Sequence, residues 1–564
     1  MSRPASITVS EALVNYLASE NIKALFGLTG EGLGGFDRAV SPLVDAGAID
    51  YIPMWSEFSM PHALHSYYRA SCGMVGAAVV TQGMGLTQMD NGLRELYVDA
   101  VPAIIINGQV PNIMRRQRTG PYNSLNYLLD IASPFVKAVF SPRSAEEALR
   151  CIPHLLNAAK EGIPGPVILE LPSDIAQQEV SFADLRRTED FLRVAAEKHR
   201  VKEFVDIMLY SQKPLFIFGE ILRGDDEAAK LALELVELAN GAYLNSFRQF
   251  DVVPENERFG GVISITNSDH VKNALATSDI FVIGHHISQE LTDNFTSYEN
   301  ARNIKFHVYP QNVRVYPYAS VTPEITCLDA FAAHPQIRCD IREFLQAAIT
   351  EIKQRGLDTA EPCAEWVGKL RQEQIAHSKT LKDDGLFPSA LNRLADMAYS
   401  DNNAHNIVIG DSGNYHHQLN IISHRHNGFC ATPRRTMGYS SGAIGAFWGL
   451  RHKDWHGTIL ATQGDGSYIM TKHQLNQAMV EDPGNINIAT CVFDNDGYEN
   501  VHKFHGGRVN NRITRKGLGR EDIPAAVKAG FPDMETRTIK DISHLDMVLS
   551  RRRHQFLYFD GREK

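Results

Sequence analysis

At 564 residues the chain is too long for a single core, and length alone predicts several domains of ordinary size. Apolar residues at 43% and charged residues at 22% are the proportions of a globular protein, and a formal net charge of −10 speaks against a nucleic-acid surface. No run approaches eighteen apolar residues, so no membrane span is expected, and seven cysteines without CxxC spacing argue against thiolate metal ligation and fit a reducing compartment.

The first residues, MSRPASITVSEALVNYLASENIKALFG, enter an amphipathic helix pattern and then a strand. They have neither the apolar run of a signal peptide nor the Arg-rich, acid-poor composition of a transit peptide, so a cytoplasmic location is expected. Strands are predicted at Lys23–Leu28, Ile49–Met54, Gly76–Val80, Ala103–Ile106 and Pro166–Leu171. Polar, charged sequence from Gln177 to Ser181 and from Arg186 to Asp190 reads as a linker. A second set of strands is predicted at Pro214–Phe218, Ala242–Asn245, Ile280–Ile283 and Lys305–Val308, followed by a charged helical connection over about 345–385. The third set is Asn406–Ile409, Thr458–Thr462, Ile486–Phe493 and Gln555–Phe559. Short β-branched runs alternating with helical patterns predict an α/β protein of three doubly wound parallel-sheet domains, over residues 1–180, 190–345 and 370–564.

Two strand ends in the third set carry chemistry. Gly464-Asp465-Gly466-Ser467 closes one apolar run and Asp494-Asn495-Asp496-Gly497-Tyr498 closes the next. In a parallel sheet, ligands bind beyond the carboxyl ends of strands. Asp and Asn there offer oxygen ligands to a hard cation, and glycine-flanked backbone N–H groups suit a phosphate. Each segment alone is an ordinary turn composition; the pair reads as a site for a Mg²⁺-bound diphosphate.

These motifs resemble the thiamin diphosphate (ThDP) enzymes of the acetohydroxyacid synthase and pyruvate decarboxylase superfamily, over most of the chain. The resemblance implies a pyrimidine-binding first domain, a Rossmann-like central domain and a diphosphate-binding third domain. It implies Mg²⁺ ligation by Asp465, Asn495 and the Gly497 carbonyl, with Gly466 and Ser467 facing the diphosphate. In the family a Glu ends the second strand of the first domain, ahead of a helix with an aromatic and an Arg. Here Glu57 holds that place, with Tyr68 and Arg69 eleven and twelve residues on, which makes Glu57 the catalytic carboxylate. Thr81-Gln82-Gly83-Met84-Gly85-Leu86-Thr87-Gln88, Asp99-Ala100-Val101-Pro102 and Gly108-Gln109-Val110-Pro111 follow the family's T-S-G-P-G-x-T-N, D-S-x-P and G-Q-V-P series, so Thr81 and Gly85 are cofactor-binding candidates. Met84 and Gln88 depart from the series, in place of Pro and Asn. Met437-Gly438, after Arg435 and before Ser440-Ser441-Gly442-Ala443, matches the segment whose apolar side chain wedges beneath the cofactor. Asn414 and Tyr415 fill the place of the Gly-x-His beside the diphosphate.

The implied reaction makes or breaks a C–C bond beside a carbonyl: a 2-oxo acid such as pyruvate, or a ketone, loses CO₂ and its acyl unit is protonated or passed to a second carbonyl. A synthase-like carboligase leads. A simple 2-oxo acid decarboxylase, a C–C hydrolase of a cyclic diketone and an inactive regulatory subunit stay open. The decarboxylases' histidine pair is absent between Asn112 and Asn126, and Asn123-Ser124 stands where the synthases have Phe-Gln. Glu31 occupies the position of the decarboxylases' acid, a second catalytic candidate. The chain stops four residues after Asp560, a tail shorter than the family's C-terminal lid, which implies room for a large acceptor. The synthases' Gly-Ala-Arg-Phe is missing at Ile283-Gly284-His285-His286, which weighs against FAD. The pairs His285-His286 and His416-His417 are expected to point apart, without closing ligands for Zn²⁺. A homodimer or homotetramer is implied, with active sites between the first domain of one subunit and the third of another.

Overall fold

The computed structural model describes residues 6–30, 33–81, 83–114, 133–181, 185, 190–246, 252–263, 267–286, 303–312, 314, 316–321, 335–356, 363–380, 386–398, 404–411, 429–431, 437–478, 481, 484–495, 497, 522–545 and 553–561. Three sheets carry it. The first orders its strands Ala319–Val321, Ala138–Phe140, Pro166–Pro172, Ala103–Gln109, Gly76–Val80, Ala24–Gly27 and Asp50–Pro53, parallel except for the first. The second runs Phe259–Ile263, Ala242–Ser246, Pro214–Phe218, Asp279–Ile283, Ile304–Tyr309 and Gln336–Arg338, and the third Phe429–Ala431, Ile407–Gly410, Gly457–Gly464, Ile486–Asp494, Gln555–Asp560 and Glu535–Ile539. Both are parallel throughout. Central strands are buried end to end, as at Gly76–Val80 and Pro214–Phe218, because helices cover both faces of a parallel sheet.

All thirteen predicted strands are present. Five further parallel strands, Ala138–Phe140, Phe259–Ile263, Gln336–Arg338, Phe429–Ala431 and Glu535–Ile539, escape the periodicity reading because they are short, glycine-bearing or polar. Two predicted connections are structured. In the first, Glu179–Ser181 pairs antiparallel with Ser6–Thr8, Ile7 opposite Val180, just ahead of a helix closed by a Thr8–Glu11 capping box. In the second, the helix Cys363–Thr380 lays Val367 and Leu370 on the central sheet beside Leu244 and Ile263, and Arg371 pairs with Glu255 at 2.5 Å. It therefore completes the central unit. Ala319–Val321 leaves that unit and extends the first sheet, antiparallel to Ala138–Phe140.

The helix Met60–Ala70, every residue buried, lies against the helix Ala443–His452. Gly442, Gly445 and Gly449 make the approach possible: an added Cβ would strike the His62 carbonyl, the Ala63 carbonyl, and Ala70 Cβ at 2.9 Å, respectively. Around this contact Ala63, Leu64 and Tyr67 merge with Ile444, Phe447 and Leu450 into one apolar cluster that joins the first sheet to the third. Each fully buried large side chain contributes roughly 1.5–3 kcal/mol, so this interface holds the two units together.

Candidate active site

The third sheet builds one half of the site. Gly464 lies opposite Phe493 on neighbouring strands, so Asp465 and Asn495 leave the sheet side by side. Asp465 is buried at the start of the helix Asp465–Ala478; Gly466, Asn495 and Gly497 are half-buried, and Gly497 takes a φ of +131° that other residues rarely adopt. The preceding acid is engaged elsewhere: Tyr558 donates to Asp494 Oδ2 at 2.5 Å. A carboxylate, an amide oxygen and a peptide carbonyl form a donor set suited to a hard cation, beside a helix N-terminus that suits an anion.

A residue that the sequence reading missed organises this half. Asp411 follows the strand Ile407–Gly410, at the switch point where the neighbouring strand Gly457–Gly464 departs. Its fully buried carboxylate accepts from Gly438 N (3.0 Å), Ser440 N (3.1 Å), Ser440 Oγ (2.9 Å) and Ser467 Oγ (2.9 Å). The Ser467 hydroxyl therefore points at Asp411, and any phosphate contact by that residue falls to its backbone. Burial pushes the Asp411 carboxyl above its ordinary range, and the donors from Ser440, Ser467 and Gly438 pull against that.

The first sheet builds the other half. The chain leaves the strand Asp50–Pro53, passes half-exposed Trp55 and turns at Glu57–Ser59 into the helix that starts at Met60 with Pro61 in its first turn. Glu57 is 7% exposed. Its Oε1 would lie 3.3 Å from a Cβ on Gly85, and Thr81 Oγ1 3.2 Å from the same point, so Glu57, Thr81 and Gly85 face one another. Gly83 takes φ +74° between them.

The halves meet in one chain. Phe58 covers the face of Gly438, which takes φ +95°, and Asn91 Nδ2 donates to the carbonyl of half-buried Met437 at 3.4 Å. Behind them the Tyr439 hydroxyl meets His65 Nδ1 at 2.5 Å, and His65 Nε2 meets Asp99 Oδ2 at 3.0 Å. Burial lowers the His65 pKa to about 4. The neutral ring then donates from Nε2 to Asp99 and accepts the Tyr439 proton at Nδ1. Within this chain the glycine stripe of the third unit seats the helix that follows Glu57.

Residues 7–128 match the family described as thiamine pyrophosphate enzyme, N-terminal TPP binding domain, and residues 408–551 match its C-terminal TPP binding domain. The chain belongs to the thiamin diphosphate-dependent enzyme superfamily. Among ThDP enzymes it is 24% identical to the glyoxylate carboligase of Escherichia coli O157:H7 over 53% of this chain and 50% of that one. It is 26% identical to the acetolactate synthase large subunit of Haemophilus influenzae over 54% and 53%. With the acetolactate synthase isozyme 3 large subunit of Escherichia coli K12 it shares 23% identity over 83% and 79%. The match thus spans about half the length of the first two relatives. A crystal structure from Mycobacterium smegmatis, described as that of a proposed ThDP-dependent enzyme, shares the fold at a TM-score of 0.73 and 16% identity, covering 98% of this chain and 99% of that one.

The arrangement suits ThDP at both ends: oxygen donors and a helix N-terminus lie at one, and a buried carboxylate beside a glycine lies at the other. Of the residues singled out from sequence, Glu57, Thr81, Gly85, Met437, Gly438, Asp465, Gly466, Ser467, Asn495 and Gly497 are brought to this region, and Glu31, Asn414, Tyr415 and Arg435 lie outside the described residues. Asp411 carries one legible signal, an acid immediately after an apolar run, in the manner of Asp465. No helix among the described residues is long and apolar enough to cross a membrane.

Proposed function

We propose that this chain is a ThDP- and Mg²⁺-dependent enzyme that decarboxylates a 2-oxo acid such as pyruvate and transfers the acyl unit to a carbonyl acceptor, as an acetolactate synthase-like carboligase. The observation that carries the reading is Glu57: a buried carboxylate, against Gly85 where no Cβ intervenes, on the turn that meets Met437-Gly438. Asp465, Asn495 and the Gly497 carbonyl would hold Mg²⁺, and the first N–H groups of the helix Asp465–Ala478 would take the diphosphate. When bound, ThDP supplies a nucleophilic carbon and an electron sink.

The chain's own residues supply binding, orientation and proton handling. Glu57, 7% exposed beside Gly85, would share a proton with the aminopyrimidine ring through Oε1. Met437, held through its carbonyl by Asn91 and through the next amide by Asp411, would set the cofactor's bend, which makes its position a proximity effect. The relatives support the carboligase reading: a glyoxylate carboligase and acetolactate synthases are among them.

Mass spectrometry of products from pyruvate with a panel of aldehydes, ketones and keto-sugars, in the presence of Mg²⁺ and ThDP, tests the proposal. A two-carbon adduct of an acceptor is the expected result. Acetaldehyde alone would replace carboligase by decarboxylase, and no turnover of any 2-oxo acid would overturn both.

A further inference from the structure

The central sheet has its own switch point, between the neighbouring strands Pro214–Phe218 and Asp279–Ile283, from which the chain departs in opposite directions. Ligands of doubly wound sheets gather at such crevices. Here the crevice holds a cluster with no part in the chemistry above. Glu220, on the turn after Phe218-Gly219, has a side chain 1% exposed. His285 Nδ1 lies 3.0 Å from its Oε2, and His286 Nδ1 lies 2.6 Å from its Oε1. Tyr309, on the next strand, donates to Oε1 at 2.9 Å, and His307 Nε2 meets the His285 carbonyl at 2.9 Å.

Adjacent histidines in an extended chain point to opposite sides, and the sequence reading expected that here. Gly284, at φ +65°, breaks the strand so that both rings turn towards one carboxylate, with centroids 5.1 Å apart. One ligand atom from each of Glu220, His285 and His286 lies within 4.8 Å of the others. In a tetrahedral site with metal–nitrogen bonds near 2.1 Å, ligand atoms sit roughly 3.4 Å apart, so seating an ion opens the His285 and His286 contacts to Glu220 by about 0.4 and about 0.8 Å. Among the described residues the ion-pair partners of buried Glu220 are these two imidazoles.

We propose that Glu220, His285 and His286 bind a divalent transition ion of the Zn²⁺ class, which staples the two strand ends of the central unit. Two imidazole nitrogens and one carboxylate oxygen suit Zn²⁺, Co²⁺ or Ni²⁺, whereas Mg²⁺ requires oxygen ligands. Water completes the shell on the side of His286, whose side chain is 22% exposed.

The test uses the full chain, stripped of metal by a chelator and restored with Mg²⁺ and ThDP, and titrates it with Co²⁺. The expected result is one equivalent bound with a visible d–d band of a nitrogen-ligated, low-coordinate ion, displaced by Zn²⁺ and unaffected by excess Mg²⁺. Glu220→Gln and His286→Ala should each weaken Co²⁺ binding at least tenfold, and a His416→Ala/His417→Ala control should not. His286 is partly exposed, so its variant carries the test if Glu220→Gln fails to fold. The absence of a one-equivalent band, or binding by His286→Ala equal to that of the unaltered chain, would overturn the proposal.

Discussion

Asp411 and Ser467 stand fifty-six positions apart on neighbouring strand ends, and the Ser467 hydroxyl donates to Asp411 Oδ1 at 2.9 Å. The same carboxylate takes the Gly438 and Ser440 amides. One buried acid thus fixes the turn under Met437 and the first turn of the helix that starts at Asp465 in a single relative position. A cofactor that spans both turns is bound only as well as that position is kept.

Replacing Asp411 by Asn should therefore act on binding. The amide keeps one acceptor oxygen and turns an NH₂ towards donors, leaving at least one buried N–H or O–H unpaired; hydrogen bonds to a charged group contribute about 1.5–3 kcal/mol. Asp411→Asn should bind ThDP with Mg²⁺ at least about tenfold more weakly, read by fluorescence quenching or calorimetry. Binding equal to that of the unaltered chain would remove Asp411 from the organisation of the site.

Glu57→Gln separates chemistry from binding. The side chain keeps its size in the buried position beside Gly85 but can no longer take or return a proton. A positioned acid or base is worth about 10²–10⁴ in rate, so turnover should fall by that order while ThDP affinity changes only a few-fold. Unchanged turnover would sink the proposed role.

The docking of the first and third units rests on a close approach that a single methyl group would obstruct. A Cβ at Gly445 would fall on the Ala63 carbonyl, which belongs to a helix and cannot move alone. Overpacking of this kind costs about 1–3 kcal/mol. Gly445→Val should lower the thermal midpoint and expose the Met60–Ala70 helix to proteolysis, with Gly445→Ala intermediate. A normal midpoint and normal protection in both would mean that the two units meet elsewhere.

Much of this was open to reading in the chain itself, for local reasons. Strands such as Gly76–Val80 and Ile486–Asp494 are contiguous apolar runs, and Asp465, Asn495 and Glu57 stand at their ends with fixed spacing to Gly466, Gly497, Tyr68 and Arg69. What stayed hidden is non-local. The run around Gly442 and Gly445 announces a close approach but not its partner, which lies some 380 residues earlier at His62 and Ala63. Asp411 looks like any acid after a strand until four donors are seen to converge on it. The convergence of His285 and His286 depends on one backbone angle, the φ of Gly284, which a run of Gly-His-His does not disclose.

His62 links this packing to pH. It is fully buried, edge-on to Phe58 and to Tyr439 at 5.5 Å each, with His65 one turn away, and among the described residues neither ring nitrogen has a hydrogen-bond partner. Burial first, and the neighbouring His65 second, lower its pKa to about 3. An unfolded chain takes up a proton at this ring near pH 6.5, and the folded one does so only near pH 3. The folded state therefore binds fewer protons across that window. The stability associated with neutral His62 is present above about pH 6.5 and is lost as pH falls towards 3, at about 1.4 kcal/mol per unit. His62→Phe keeps the ring and removes the titration, so its thermal midpoint should fall less than that of the unaltered chain between pH 7.5 and 5. Parallel pH profiles for the two proteins would show that His62 is protonated, or partnered, in the folded state.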